Sequence, residues 1–294
     1  FAVAADPVVP TVGLSGWPNY LAMGTISSGV PSSEPTDQRI DSIFTYNGTG
    51  GDGDPGRIES PYKIYNMMTM GKAIRDKTGY AVNPSLVEYQ WQLSGGWNPS
   101  DVEDTDRLTK HFFNLMFLAD TLQTQAPELT GTHGTILLSP DLLGFIGNTN
   151  RQADVEALKI NVNQAVAQAS CMMTKQVDFS QETSCTYAWD KQQITLNGTV
   201  RDLMPWLKAK TDNYTAGMAF ADCVGGAVVA KCTNAVAPAG TPTFSNNFNG
   251  WIQAQNYLAK KYGPQVNLGW HENISGAPGG GWWVHGGANA VTPY

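Results

Sequence analysis

Acidic side chains recur at or near the ends of short apolar runs. Asp141 follows GTILLSP, Asp222 ends AGMAFAD, Glu272 ends VNLGWHE, and Glu88 lies within LVEYQWQL. Two carboxyl groups held close together can serve as a proton donor and as a nucleophile or base, which is the chemistry that cleaves glycosidic bonds. We therefore expect Glu272 and Glu88 to be the leading catalytic pair, with Asp141 and Asp222 as substitutes or supporting acids. Retention and inversion of configuration both stay open, because they depend on the distance between the two carboxyl groups.

Aromatic and amide side chains accompany these acids. The sequence holds nine tryptophans, and two of them, Trp282 and Trp283, directly follow a glycine tract near the end of the chain. An indole face stacks on the apolar face of a sugar ring, while polar side chains hydrogen-bond the sugar hydroxyls. This pairing predicts a sugar-binding cleft. The expected substrate contacts are Trp91, Trp97, Trp270, His271, Trp282, Trp283, Gln90 and Gln92.

Composition and charge disfavour several other partners. The chain has 18 Lys plus Arg against 25 Asp plus Glu, for a formal net charge of −7, so no basic surface for nucleic acid or for a polyanionic glycan is indicated. The longest weakly polar run, Ala216–Ala230, is interrupted by Asp222 and Gly225–Gly226, so we expect no membrane span. We expect a neutral glycan as the substrate, without a metal or another cofactor.

The four cysteines are typical of an oxidising compartment. Cys171, Cys185, Cys223 and Cys232 allow three pairings, of which pairing between neighbours, Cys171 with Cys185 and Cys223 with Cys232, would close two short loops. A zinc site is disfavoured because no two cysteines are spaced as CxxC and the four histidines are scattered. The chain begins at Phe1 without an initiator methionine, which suggests a removed leader. We therefore expect a secreted or periplasmic protein.

Short apolar runs alternate with helical patterns along the chain. Apolar residues three and four positions apart predict helices through residues 108–122, 155–169 and 248–258. Ser100 and Glu103 have the spacing of a capping box, and Gly263–Pro264 would end the last helix. Alternation of this kind predicts parallel strands joined by right-handed crossovers. The predicted strands are Leu21–Ser27, Ser42–Tyr46, Leu86–Leu93, Gly134–Leu138, Ala216–Asp222 and Val266–Glu272.

Two α/β architectures fit this alternation, a doubly wound open sheet and a closed (β/α) barrel. An open nucleotide-binding sheet would carry a GxGxxG turn after its first strand, whereas this chain has Ser27–Ser28–Gly29. We therefore predict a single TIM-like (β/α)-barrel domain over residues 1–294, with an inserted loop at about 174–198. Six strands, with Trp282–His285 as a candidate seventh, are fewer than a regular barrel has, so the barrel would be irregular or incomplete.

The third predicted strand separates polar from apolar residues. Glu88, Gln90 and Gln92 share one face because side chains alternate along a strand. A strand covered by helices is apolar on its helix side, so we expect this polar face to line the mouth of the barrel. A half-exposed edge strand would show the same alternation. Asp52 and Asp54, which follow the second predicted strand, would add carboxylates at the same end.

This arrangement looks like that of secreted glycoside hydrolases built on (β/α) barrels. The closest local likeness is ILLSPDLLGFIGN, residues 136–148, which is similar to the fourth-strand segment of the cellobiohydrolase and endoglucanase family whose barrels are distorted. That family carries Glu-Pro-Asp where this chain has Ser139–Pro140–Asp141. The resemblance implies that Asp141 lies in the cleft, and it implies hydrolysis of a neutral polysaccharide or oligosaccharide.

Two functions without catalysis fit the same residues. The chain could be a carbohydrate-binding barrel whose acids never react, or a structural subunit of a secreted assembly that uses its aromatic loops as an interface. A Ser/His/Asp hydrolase is a weaker alternative, because the sequence contains no G-x-S-x-G turn.

Overall fold

Five parallel strands form the main sheet of the protein. The structure is a computed structural model that describes residues 14–18, 22–26, 39–47, 58, 62–91, 96–139, 141–174, 176–177, 183–186, 193–196, 201–202 and 232–270. The strands pair with one another in chain order, and every pairing is parallel. The α/β class predicted from the sequence is confirmed. The five strands are β1 (Gly24–Ile26), β2 (Ser42–Asn47), β3 (Asn83–Glu88), β4 (Thr135–Leu138) and β9 (Asn267–Trp270).

The sheet is open between β1 and β9 in the part of the chain that the structure describes. Closure into a barrel therefore stays a prediction. The strands follow one another in chain order, as they do in a (β/α) barrel, whereas the order reverses at one point in a doubly wound sheet. The predicted strands Ala216–Asp222 and Trp282–His285 lie outside the described residues.

The helices of the described ranges connect and cover these strands. The helices predicted over 108–122 and 248–258 are confirmed as parts of the longer helices Thr105–Thr130 and Phe248–Tyr262. The pattern over 155–169 instead divides into two helices, Gln152–Ala157 and Val162–Met173. The division has a physical reason, because the non-helical residues between them bury Leu158 and Ile160 in the core. The helices are α1 (Tyr62–Thr78), α2 (Ser100–Glu103), α3 (Thr105–Thr130), α4 (Leu142–Asn148), α5 (Gln152–Ala157), α6 (Val162–Met173) and α7 (Phe248–Tyr262). Within the described ranges, no helix combines the length and the apolar composition needed to cross a bilayer.

Helix α3 begins at a different cap from the one that the Ser100 and Glu103 spacing predicts. Asp104 is the N-cap, and its carboxylate accepts hydrogen bonds from the backbone amides of Asp106 at 2.9 Å and Arg107 at 3.1 Å. Ser100 and Glu103 instead bound the short helix α2. Asp104 thus satisfies amide groups that a helix start otherwise leaves unpaired.

The stretch predicted as an inserted loop contains short antiparallel strands. These are β5 (Gln176–Val177), β6 (Thr183–Thr186), β7 (Gln193–Leu196) and, just beyond the predicted stretch, β8 (Arg201–Asp202). Strand β5 pairs with β8, and β6 pairs with β7, and neither pair joins the main sheet.

The hydrophobic core lies between the helices and one face of the sheet. Ile43, Leu86 and Ile136, which occupy that face in neighbouring strands, are fully buried. They belong to the same apolar cluster as Met67 of α1 and Phe112 of α3. Burial of each such side chain contributes about 1.5–3 kcal/mol, so this face holds the sheet and the helices together.

A disulfide joins Cys171 of α6 to Cys232. The predicted pairing of neighbours, Cys171 with Cys185 and Cys223 with Cys232, is therefore wrong. The reason is a contact between distant segments, since the side chains of Gln164 and Gln168 in α6 donate hydrogen bonds to the carbonyl of Thr233 at 2.9 and 3.0 Å. These contacts bring Cys232 next to α6. A disulfide is consistent with an oxidising compartment.

We predict that the Cys232→Ser variant is less stable than the wild type. Because the bridge joins residues 61 positions apart, its loss should lower the free energy of unfolding by about 4 kcal/mol in the chain-entropy model. Urea unfolding without reductant measures this difference. The control is the variant that carries both Cys171→Ser and Cys232→Ser, which should lose the same amount. If the double variant loses twice as much free energy of unfolding as the single variant, the two cysteines do not form one disulfide.

His111 is a buried histidine between α3 and α7. Its Nε2 lies 3.4 Å from Oε1 of Gln255, and its ring centroid is 6.5 Å from that of Trp251. Burial lowers the pKa of His111 to about 4, because the charged imidazolium loses its hydration, and the hydrogen bond to Gln255 offsets this only in part. The folded protein therefore holds this ring neutral.

We predict that this histidine weakens the fold in mild acid. The unfolded chain binds the proton near pH 6.5 and the folded chain only near pH 4, so the free energy of unfolding falls by about 3 kcal/mol between those values. Above pH 6.5 the contribution is constant. Urea unfolding across pH 4–7 tests this expectation. The free energy of unfolding should depend less steeply on pH in the His111→Gln variant. The His133→Gln variant, which keeps His111, is the control and should behave like the wild type. An equal pH dependence of the free energy of unfolding in the wild type and in His111→Gln would refute the prediction.

Candidate functional site

The face of the sheet opposite the helices lines a cavity of about 490 Å³. Alternate residues of β2 and β3 form its base, because side chains on a strand point to the two faces in turn. Ala22 and Gly24 border the cavity on the β1 side, and Trp17 borders it where the strands begin. Asp141 borders it beyond the carboxyl end of β4. The strand residues that line it are Ser42, Phe44, Tyr46, Ser85, Val87 and Leu137, together with Tyr89, which directly follows β3.

Polar side chains fix the end of the cavity where the strands begin. The indole Nε1 of Trp17 donates to the Thr135 hydroxyl at 2.9 Å, and that hydroxyl donates to Oδ1 of Asn83 at 3.1 Å. The Ser85 hydroxyl also donates to Oδ1 of Asn83 at 3.2 Å, and its oxygen lies 3.0 Å from the hydroxyl oxygen of Ser42. Because these groups satisfy one another, we interpret this end as a structural floor.

Aromatic rings form the wall of the cavity towards the carboxyl ends of the strands. The rings of Phe44 and Tyr46 meet edge to face at 5.7 Å, and Tyr46 lies 5.8 Å from Tyr89. Tyr46 is 40% exposed, so its ring is accessible from solvent. This wall combines apolar ring faces with phenol hydroxyls, which suits a ligand that has both apolar faces and hydroxyl groups.

Asp141 lies on a strained turn at the rim. Its φ is 69° and that of Ser139 is 48°, so two residues with side chains adopt the left-handed region on either side of Pro140 in the sequence. Each such residue costs about 1–2 kcal/mol, and this kind of strain clusters at functional sites. Asp141 contributes the one carboxylate among the cavity-lining residues that the structure describes.

Glu88 and Gln90 do not line the cavity. Glu88 is 1% exposed and pairs in register with Asn47 and Leu138, on the face that packs against the helices. Asn47 Nδ2 donates to Oε2 of Glu88 at 2.7 Å, and this bond offsets part of the cost of burying a carboxylate. The expected orientation of β3 is therefore wrong. Val87 and Tyr89 face the cavity instead.

The predicted tryptophan platforms of the described chain form a separate cluster. Trp91 is 1% exposed and stacks on Trp97 with ring centroids 4.6 Å apart. Trp91 and Trp270 both contact Trp251 of α7, at 6.3 and 5.8 Å, and Trp270 Nε1 also donates to Asn256 Oδ1 at 3.0 Å. Trp91 is thus a core residue, and Trp97 and Trp270 pack against that core rather than in the cavity.

Several predicted site residues lie outside the described ranges, and their roles stay predictions. The aromatic wall, in contrast, is a feature that the sequence reasoning missed. Its signal is the alternation of Phe44 and Tyr46 in SIFTYN, with Tyr89 at the end of the next strand. The residues outside the described ranges are Glu272, Asp222, His271, Trp282, Trp283, Gln92, Asp52 and Asp54.

Neither a metal centre nor a relative identifies the site. In the part of the chain that the structure describes, no three His, Cys, Asp or Glu side chains group closely enough to hold a metal ion. Comparisons with models of protein families, with curated proteins and with solved structures found no match.

We predict that the turn at Asp141 tolerates Asn better than Val. Both substitutions remove the charge, but Asn adopts the left-handed region readily and the β-branched Val does not, so Asp141→Val should be less stable by about 1–2 kcal/mol. Urea unfolding measures the difference. The matched control is Asp154 of α5, where the Asn and Val variants should differ by less than about 0.5 kcal/mol. Equal stability of the two Asp141 variants would refute strain at this turn.

Proposed function

We propose that the protein binds a neutral oligosaccharide or polysaccharide in the cavity and hydrolyses it. One observation carries this proposal: the cavity combines an aromatic wall with a strained carboxylate at the carboxyl ends of parallel strands. In α/β proteins this end of the sheet is where ligands bind and where catalytic groups lie.

Chemistry of the wall supports a sugar as the ligand. Phe44, Tyr46 and Tyr89 offer ring faces to the CH groups of a pyranose, and the phenol groups of the two tyrosines can hydrogen-bond its hydroxyls. The net charge of −7 disfavours an anionic polymer. A neutral glycan therefore fits both the cavity and the charge of the chain.

Hydrolysis needs a second carboxylate beside Asp141, and we propose Glu272. In sequence, Asp141 follows the last residue of β4 by three positions, and Glu272 follows the last residue of β9 by two. Because β4 and β9 are neighbours with Leu138 and Trp270 in register, this spacing supports an approach of the two acids at one edge. One acid would protonate the leaving oxygen, and the other would attack the anomeric carbon or activate water. Asp222 remains a supporting candidate.

This proposal assigns the reaction to Asp141 and Glu272 and gives Glu88 no reacting role. Its carboxylate bonds to Asn47 on the helix side of the sheet, away from the cavity. We also propose that further strands close the sheet into a secreted (β/α) barrel, because the sequential strand order supports that architecture.

A carbohydrate-binding barrel without catalysis is the second candidate. The observation that favours it is that Asp141 supplies the one carboxylate of the cavity within the described residues. Binding would then rest on the aromatic wall alone.

We predict that the wild type releases reducing ends from at least one neutral polysaccharide in a panel of glucans, xylans and mannans. Asp141→Asn should bind the same glycan but lose about 100-fold or more in kcat, because a positioned acid or base contributes about that much. Asp154→Asn, which alters an exposed carboxylate of α5 outside this cavity, is the control and should keep full activity. Binding without cleavage by the wild type would favour the second candidate, and full activity of Asp141→Asn would exclude the proposed role of Asp141.

A further inference from the structure

Residues with strained backbones and buried atoms without hydrogen-bond partners occur together where β2, β3 and β4 end. Ser139 and Asp141 have positive φ angles of 48° and 69°. Asn47 Oδ1 and Gln90 Nε2 are two of the eight buried side-chain atoms without a hydrogen-bond partner in the described part of the chain. Buried polar groups are nearly always paired, and strained residues persist only where their surroundings hold them. We call Asn47, Glu88, Gln90 and Ser139 the edge strip.

Hydrogen bonds connect the edge strip to the turn that carries Asp141. The Ser139 hydroxyl donates to Oε1 of Gln90 at 2.5 Å, and the Ser139 amide donates to the Glu88 carbonyl at 2.9 Å. Both Ser139 and Gln90 are almost fully buried, at 2% and 1% exposure. The hydroxyl of Ser139 is therefore held by a side chain that solvent cannot reach.

We propose that Gln90 and Ser139 are positioning residues that hold the Asp141 carboxylate in the cavity. This inference rests on the proposed function of the cavity. The left-handed conformation of Ser139 turns the chain sharply after β4, and the bond to Gln90 fixes that turn from the side opposite the cavity. Asp141, two positions further on, then reaches the rim.

Loss of the hydrogen bond between Ser139 and Gln90 should slow the reaction more than it weakens substrate binding. A small displacement of a catalytic group costs about 100-fold in rate. Phe44 and Tyr46 of the aromatic wall lie on β2, whereas the turn follows β4. We therefore expect a fall in kcat with little change in KM. A turn that only supports the fold would instead affect activity in proportion to the unfolded fraction.

The experiment compares Ser139→Ala, Ser139→Gly and Gln90→Leu with the wild type. Each variant should lose about 10-fold to 100-fold in kcat on the cleaved glycan, with KM changed by less than about twofold. Ser139→Gly should be at least as stable as Ser139→Ala, because glycine adopts positive φ without strain. Its kcat should nevertheless be as low as that of Ser139→Ala. The variant with both Ser139→Ala and Gln90→Leu should be no slower than the slower single variant, since both changes break one bond.

The control is Ser170→Ala, which alters another buried serine, in α6, and should keep the wild-type kcat. Wild-type kcat in the folded Ser139→Gly and Gln90→Leu variants would overturn the inference and leave the proposed function standing. A wild type that neither binds nor cleaves any glycan of the panel overturns the proposed function and this inference together. A wild type that binds a glycan without cleaving it overturns this inference and favours the carbohydrate-binding barrel, because there is then no reaction for which Asp141 must be positioned.

Discussion

Pairing of parallel strands in chain order forces the helices that connect them onto one face of the sheet, because such crossovers are right-handed. Helices α1 and α3 obey this constraint, and their apolar residues pack with Ile43, Leu86 and Ile136. The opposite face is left without these helices and can hold a cavity. The strand residues of the candidate site follow from this division, because alternate residues of one strand face either the core or the cavity.

The secondary-structure elements are predicted well from the sequence, whereas the contacts of their side chains with distant residues are predicted less well. The runs that became β2, β4 and α7 were recognised because apolar periodicity is a local property. Alternation in LVEYQWQL indicated two different faces of β3, but it did not tell which of them packs against helices. The buried bond between Asn47 and Glu88 reverses the expectation, and the partner asparagine lies 41 positions away in the chain. The disulfide between Cys171 and Cys232 was missed for the same reason.

Of the predicted acids within the described residues, Asp141 is the one that borders the cavity. Its strained turn was not foreseeable, because Ser and Asp do not mark a left-handed conformation as glycine does. The aromatic wall is not evident from the sequence, because tryptophans are the strongest signal for a sugar platform, whereas Phe44, Tyr46 and Tyr89 provide the rings in this cavity. Trp91 and Trp270 instead contact Trp251, and Trp97 stacks on Trp91. The large apolar surface of this cluster stabilises the packing of α7.

The bridge from Cys171 to Cys232 makes the intervening chain part of a covalent ring. A protease that cuts one peptide bond inside this ring opens it without releasing a fragment, because both new ends remain attached through sulfur. The nicked molecule would migrate as one species in electrophoresis until a reductant separates its two pieces. A cut anywhere between Cys171 and Cys232 therefore leaves the sheet and the helices on either side of the ring covalently joined.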